Sequence, residues 1–278
     1  QAINSKPIVL ANPAGLHARP AAVLAKKAKS FTSAIELVSG EKIGNAKSTT
    51  AIMKMEIGAH ATVLLRASGT DAAEAIEALT AEIISGLGED VVSTTEQTTT
   101  PAPEQSSTPA PISGNENELV GVSASTGIAV GKVYQLRKTV LLVEEYGESP
   151  ELEKQKIEQG LEAARQQLQG LFEEAQSAEA QIFLAHQELL DDPELVDAAM
   201  VEINRGKSAA YAWQKTYKNE VDSLAALEST LLAQRANDLR DVGERTLKCI
   251  LGHEAESLEI PKDSIVLAED LTPSQTAT

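Results

Sequence analysis

The sequence predicts an α+β protein in three parts: a βαββαβα open-faced sandwich, a linker, and an all-α bundle inserted in an incomplete α/β domain. Short strand and helix patterns alternate over residues 1–88, whereas residues 151–258 show helical periodicity alone. Between these regions lies a stretch with almost no apolar residues. At 278 residues the chain is long enough for two domains with separate cores.

Seven elements are predicted in residues 1–88. The strands are expected at 7–10, 34–38, 42–43 and 61–67, and the helices at 18–30, 48–55 and 72–85. Pro20 falls in the first turn of a helix, where its missing N–H costs little. In the last helix, one face is predicted to carry Ile76, Leu79, Ile83 and Ile84. The order of the elements indicates one sheet covered by helices on one side.

Residues 89–118 are predicted to form a disordered linker. They are rich in Ser, Thr, Pro and Gln, which cannot bury enough surface to offset the entropy of ordering. Beyond them, residues 119–150 are expected to begin an α/β domain, with a Gly-spaced, β-like segment at 120–136 and another strand at 141–143. Residues 259–278 are expected to return to that domain, with a strand at 264–268.

Residues 151–258 are predicted to form the inserted bundle. The expected helices lie at 151–174, 178–190, 194–204, 208–227 and 231–251, with one apolar stripe per helix. Because the α/β domain is unfinished at Thr278 and the first residue is Gln1, we expect the chain to be a fragment of a longer protein.

The net charge of −17 is unevenly distributed. Residues 1–90 contain nine basic and nine acidic residues, whereas residues 119–278 contain 15 basic and 28 acidic ones. Such an acidic chain is not expected to bind nucleic acid nonspecifically. The asymmetry indicates either a solvated helical surface or two halves that meet. With no long apolar run and a single cysteine, Cys249, we expect a cytoplasmic protein that does not insert into membranes.

His17 is the candidate phosphoacceptor. It precedes a predicted helix, so the N–H groups of Ala18 and Arg19 are expected to face its ring and bind phosphate oxygens. Arg19 can neutralise phosphoryl charge, and Lys26 and Lys29 extend a basic stripe along the helix. An imidazole that titrates near neutral pH can act as a nucleophile. The alternative is an ordinary cap or surface histidine.

The run from Gly15 to Ala21 resembles the active-site signature of HPr, the histidine phosphocarrier of the phosphoenolpyruvate:sugar phosphotransferase system. The similarity covers residues 6–88. It implies that His17 is phosphorylated at Nδ1 with the help of Arg19. The run from Asn45 to Ser48 is similar to the family's second signature, whose serine is phosphorylated for regulation in some lineages; for Ser48 we prefer a helix N-cap.

One departure from the HPr pattern follows Ser48. The family usually offers bulky apolar residues to partners there, but this chain has Thr49 and Thr50. Apolar contact with partners is then expected from Ile52, Met53 and Met55.

The second half resembles the beginning of Enzyme I, the protein that charges HPr. The similar segments run through 121–131, 182–186, 189–195, 234–243 and 271–274. The resemblance implies a helical domain that docks HPr, inserted into an α/β domain with its own phosphohistidine. Rim charges would orient this contact. The expected contact residues are Arg19, Lys26, Lys29 and Met53 on one side and His186, Leu190, Asp191, Asp192, Glu194, Leu195 and Arg235 on the other, with a purely structural role left open for His186.

HPr joined to Enzyme I is the arrangement of multiphosphoryl transfer proteins. The resemblance implies a relay from phosphoenolpyruvate through Enzyme I to His17 and then to a sugar-specific IIA component, with fructose as the favoured sugar. None of the four histidines has the Ser/Thr-His-Thr/Ser setting of the Enzyme I histidine. We therefore expect that this chain does not use phosphoenolpyruvate unaided. Because the sequence has no metal-ligand cluster or nucleotide-binding glycine loop, we expect no cofactor or metal in this chain, and Mg²⁺ only in the full-length protein. The alternatives are a regulatory interaction module, or two halves that do not engage each other.

Overall fold

The computed structural model describes residues 2–89, 127–136, 141–174, 177–227, 235–253 and 260–268. The chain forms two compact units. The first contains residues 1–91, 138–258 and 270–278, and the second contains residues 92–137 and 259–269. None of the helices in the described ranges is long and apolar enough to cross a membrane.

Residues 3–84 form an antiparallel sheet with helices on one face. The elements are β1 (Ile3–Asn4), β2 (Ile8–Val9), α1 (Ala18–Lys29), β3 (Ala34–Ser39), β4 (Lys42–Asn45), α2 (Thr49–Lys54), β5 (Thr62–Ser68) and α3 (Ala72–Ile84). The strands follow the order β1-β5-β3-β4, and β2 also pairs with β5. On β5, Val63, Leu65 and Ala67 are buried and alternate with more exposed residues, as expected for a sheet with one covered face. The predicted open-faced sandwich is confirmed.

The strand predicted at 7–10 is observed as the shorter β2, and β1, which precedes it, was not predicted. Between these two strands, the Ser5 N–H donates to the Leu65 carbonyl and the Ser5 hydroxyl accepts from the Leu65 N–H. Pro7, which has no N–H, follows this contact. A side chain thus supplies one bond that a regular ladder would take from the backbone.

Within the described residues the bundle contains five helices, all close to their predicted positions. They are α4 (Pro150–Glu174), α5 (Ser177–Leu190), α6 (Pro193–Asn204), α7 (Ala209–Ala225) and α8 (Ala236–Ile250). Trp213 lies fully buried at the contact of α7 with α8, and its Nε1 donates to the Gly243 carbonyl at 3.0 Å. The expected strand at 141–143 is wrong, because this segment pairs with no strand among the residues that the structure describes. An isolated antiparallel bridge between Tyr146 and Lys207 follows it.

The second unit contains a parallel pair, β6 (Lys132–Gln135) and β7 (Ser264–Leu267). The strand predicted at 264–268 is confirmed. Most of the predicted linker, and the segment 271–274 that resembles Enzyme I, lie outside the described residues.

Candidate functional site

A fixed loop places His17 at the start of α1. Gly15 has φ +71°, and a Cβ at this position would overlap the Ile57 carbonyl, so only glycine fits. The Leu16 N–H donates to the same carbonyl at 2.9 Å. His17 has extended backbone angles and forms the N-cap of α1 without a side-chain capping bond, so its ring is free for other contacts.

The His17 ring is held through one nitrogen. Its Nε2 lies 2.8 Å from Oε1 of Glu89. The other oxygen of Glu89 accepts from Asn12 Nδ2 at 2.7 Å, and the buried Asn12 also donates to the Gly86 carbonyl. Because a carboxylate only accepts, Nε2 carries the proton, and in the neutral ring Nδ1 then holds the free lone pair.

The start of α1 is suited to an anion. The first intrahelical bond runs from the Ala21 N–H to the His17 carbonyl, so the N–H groups of Ala18 and Arg19 lie ahead of the helical ladder. No acidic residue occupies the first turn of this helix. Ala18 is buried and Arg19 is exposed.

The first domain, residues 2–89, contacts the helical domain, residues 141–253, within the first unit. Helix α1 packs on α5, and α2 packs on α5 and α7. Asp192 lies at the centre of this contact, where its carboxylate accepts from the hydroxyls of Ser48 and Thr50 and from the Thr50 N–H. All three residues are fully buried. Ser48 also caps α2 by accepting from the Ala51 N–H, as predicted for an N-cap.

Burial raises the pKa of Asp192, against the opposing effect of the hydrogen bonds from Thr50 and Ser48. Loss of water around this carboxylate therefore outweighs the donors that it has gained. The charged form of this buried carboxylate is therefore stabilised mainly by its hydrogen bonds, and the loss of any one donor is costly.

Two lysines of the first domain bind carboxylates of the helical domain. Lys54 lies 2.6 Å from Glu220 and 3.1 Å from Glu194, and Lys29 lies 3.0 Å from Glu188. Burial lowers the pKa of Lys54, but its hydrogen bonds and attraction to Glu220 and then Glu194 outweigh burial, so the pKa is raised.

The expected partners of the acidic cluster are only partly as predicted. Lys29 binds Glu188 rather than Asp191, Asp192 or Glu194. Arg19 and Lys26 form no ion pair within the described ranges. They line a cleft of about 240 Å³, together with Val23, Ala185 and Glu188.

Other predicted contact residues fall in three settings. Met53, Leu190 and Leu195 are buried. Asp191 is exposed and binds Arg165, and Arg235 binds Asp238 at 3.3 Å; both pairs lie inside the helical domain. The expectation that Asp191 and Arg235 contact the first domain is corrected accordingly.

His186 lies inside the bundle and not on the contact surface. Its side chain is fully buried, with its edge against the Phe183 ring. Its two nitrogens lie 3.8 Å from carboxylate oxygens of Asp238 and Asp241. These distances exceed hydrogen-bond length, so the structural role is the one that the packing favours.

Sequence reasoning missed Glu89, Asn12, Thr50 and Lys54. Glu89 belongs by composition to the linker, and its bond to His17 joins residues 72 positions apart. Thr50 had a weak signal, since three hydroxyl residues in succession at a helix start can supply several donors. Among the described residues, no group of three His, Cys, Asp or Glu side chains is arranged to hold a metal ion.

Two family models match the chain. Residues 4–84 match the model described as the PTS HPr component phosphorylation site. Residues 120–235 match the model described as PEP-utilising enzyme, N-terminal. The chain therefore contains an HPr domain and the N-terminal domain of a PEP-utilising enzyme. Residues 2–89 are therefore called the HPr domain below, and His17 is the histidine of its signature.

Two curated relatives align with most of the chain. The multiphosphoryl transfer protein of Rhodobacter capsulatus is 34% identical over 253 residues, covering 89% of this chain and 31% of that protein. The multiphosphoryl transfer protein of Xanthomonas campestris pv. campestris is 31% identical over 279 residues, covering 96% of this chain and 33% of that protein. The chain thus spans about a third of the length of these relatives.

Solved structures match the two parts separately. The crystal structure of HPr from Thermoanaerobacter tengcongensis is 39% identical and covers 32% of this chain and 98% of that one, with a TM-score of 0.30. A solution structure of Enzyme I is 31% identical, and the match covers 58% of this chain and 68% of that one, with a TM-score of 0.47.

Proposed function

We propose that the chain carries phosphoryl groups on Nδ1 of His17, between the phosphohistidine of an Enzyme I and a sugar-specific IIA component. The observation that carries this proposal is the bond from His17 Nε2 to Glu89 at the start of α1. It leaves Nδ1 as the ring nitrogen with a free lone pair. The nearby helix N-terminus offers donors to phosphate oxygens.

The transfer needs no other reactant. The Nδ1 lone pair attacks phosphorus, the donor's N–P bond breaks, and the donor imidazole keeps the electron pair of that bond. The proton on Nε2 of His17 stays in place. Glu89 stabilises the positive charge that develops on the His17 ring, while Arg19 and the N–H groups at the start of α1 face the phosphoryl oxygens.

For the full-length protein we propose the activity of a phosphoenolpyruvate-protein phosphotransferase. Relatives with that name, such as the one from Bacillus subtilis, are 34% identical over 167 residues. We place the phosphoenolpyruvate site and its Mg²⁺ in the Enzyme I portion beyond this chain, and the relay in the cytoplasm. Fructose is the sugar that we would test first, on the resemblance alone.

The rival is a regulatory module that only binds other proteins. Such a module has no need of a histidine whose ring is oriented by a carboxylate and an asparagine. The bonds from Asn12 to Glu89 and from Glu89 to His17 therefore favour phosphoryl transfer.

The direct test is phosphorylation in solution. The chain is incubated with phosphoenolpyruvate, Mg²⁺ and a complete Enzyme I, and acid-labile phosphate is located by mass spectrometry. We expect label on the wild type and on His60→Asn, which alters an exposed histidine of the same domain, and none on His17→Ala. Equal labelling of His17→Ala would refute the proposal.

Glu89→Gln tests the orientation of the ring. The new amide can donate to Nε2 and so favours the wrong tautomer, and we expect at least about tenfold slower phosphorylation. Glu74→Gln, at an exposed position on α3, is the matched control. The ¹⁵N shifts of the His17 ring should report a smaller Nε2–H fraction in Glu89→Gln only. An unchanged tautomer and rate would remove Glu89 from the mechanism.

A further inference from the structure

One carboxylate caps two helices from different domains. Oδ1 of Asp192 accepts from the Ser48 hydroxyl at 2.8 Å and from the Glu194 N–H at 3.0 Å. Oδ2 accepts from the Thr50 N–H at 2.9 Å and from the Thr50 hydroxyl at 3.2 Å. Asp192 is therefore the N-cap of α6 and also binds the first turn of α2.

Thr50 supplies half of the donors to this carboxylate. An ionised carboxylate has about four lone-pair sites, and here each has a donor. The site excludes water, because Ser48, Thr50 and Asp192 have no exposed surface. If the Thr50 hydroxyl were removed, no water would replace it without a rearrangement, and a charged acceptor would be left unsatisfied.

A larger apolar side chain at position 50 would be worse still. It would lack the hydroxyl and would add bulk beside a buried carboxylate in a closed contact. The Thr50 hydroxyl therefore distinguishes the HPr domain of this chain from any HPr protein with an apolar side chain at that position. A site that combines an attraction with a rejection discriminates more strongly than either effect alone.

We propose that Asp192 makes the helical domain selective for its own HPr domain by binding the Thr50 hydroxyl, against HPr proteins with an apolar side chain at that position. The partner is thus the first domain of this chain. The inference deepens the proposed function, since docking presents His17 to its donor, but its test measures docking and not phosphorylation.

Thr49 provides a matched control. It is as buried as Thr50, but its hydroxyl has no hydrogen-bond partner among the described residues. Thr49→Val and Thr50→Val therefore make the same chemical change at neighbouring positions. Only the second removes a bond to Asp192.

The first experiment measures hydrogen exchange by NMR in the full chain. In Thr50→Val, exchange of the amide at position 50 should be about ten to a hundred times faster than in the wild type, because the docked state loses a bond to a buried charge. In Thr49→Val it should change by less than about twofold. Equal effects of the two substitutions would overturn the proposal.

The second experiment measures selectivity. Two versions of a single-domain HPr, with Thr or Phe at the position aligned with Thr50, compete with the HPr domain of the full chain. We expect the Thr version to displace that domain at a concentration about ten times lower or less. Equal potency, or stronger competition by the Phe version, contradicts selectivity.

The outcomes also separate this inference from the proposed function. Suppose that Thr50→Val speeds amide exchange and Thr49→Val does not, but that His17→Ala is labelled like the wild type. This result would refute the carrier function and leave the selectivity intact. Normal labelling of His17 without a contrast between the two threonine substitutions would refute the selectivity alone.

Discussion

The two ends of the contact between the HPr domain and the helical domain differ in kind. At the α2 end, the carboxylate of Asp192 is fully buried and accepts four hydrogen bonds. At the α1 end, Lys29 and Glu188 form a partly exposed pair beside an open cleft, where Arg19 and Lys26 remain exposed.

The two ends of the contact therefore have different roles: the buried end determines which surface can dock, and the exposed end orients charged partners. Buried, fully bonded groups determine which surface can dock, because any mismatch leaves a charge without partners. Exposed charges contribute little to stability but orient a charged partner. Arg19 lies only two residues after His17, so the loosely paired end is also the end nearest the proposed phosphoacceptor.

The largest effect is expected from Asp192→Ala. It leaves the donors of Ser48 and Thr50 without their buried acceptor, which costs about 3–5 kcal/mol in docking free energy. Loss of the N-cap of α6 separately destabilises the helical domain by about 1 kcal/mol. We expect the NMR shifts of the HPr domain in the full chain to move to their undocked values. Asp191→Ala, next to it but bound only to Arg165, should leave them unchanged. If the two variants behave alike, the buried end does not control docking.

A smaller effect is expected from Lys54→Met, about 1 kcal/mol, because the ammonium is one-third exposed and partly screened. The raised pKa of Lys54 also predicts a pH dependence. A raised folded-state pKa gives a stabilisation that is present below the ordinary value of 10.5 and lost as the pH rises through the folded value. Docking of the wild type should therefore weaken as the pH rises through the folded-state pKa of Lys54, and docking of Lys54→Met should not change over this range. An identical alkaline profile in both proteins would exclude Lys54 as the cause.

The smallest effect is expected from Lys29→Gln. A partly exposed ion pair contributes below about 1 kcal/mol, and the difference from the wild type should vanish near 1 M salt, where the Debye length is about 3 Å. The exchange rate of the position-50 amide should show this loss. The effect of Thr50→Val should persist at high salt, because that bond is buried. A Lys29→Gln effect as large and salt-resistant as that of Thr50→Val would erase the distinction between the two ends.

The helices and strands were largely predictable, because the spacing of apolar residues along the sequence indicates each type of element directly. The five helices of the bundle and the βαββαβα order lie close to their expected places. The exception at 141–143 has a physical reason. Apolar residues give a segment β-propensity, but a strand also needs a neighbour, and local sequence does not provide that information.

Pairings across long sequence separations were much harder to predict. Charge asymmetry predicted that an acidic helical region could meet a basic face, yet the partners differed: Lys29 binds Glu188, and Asp192 binds hydroxyls. The pairing of carboxylates with lysines depends on how each helix is rotated about its own axis and on the angle at which the helices pack. The bond between Thr50 and Asp192 spans 142 positions, and no local pattern encodes it.

Trp213, buried against α8, has a practical consequence for measurement. It is the only tryptophan, and the four tyrosines all lie after residue 130, so the HPr domain contains neither chromophore. Tryptophan emission therefore reports melting of the helical domain alone, whereas circular dichroism senses both domains. In a urea titration, coincident curves would indicate that the domains melt as one cooperative unit, and separated curves would resolve two transitions.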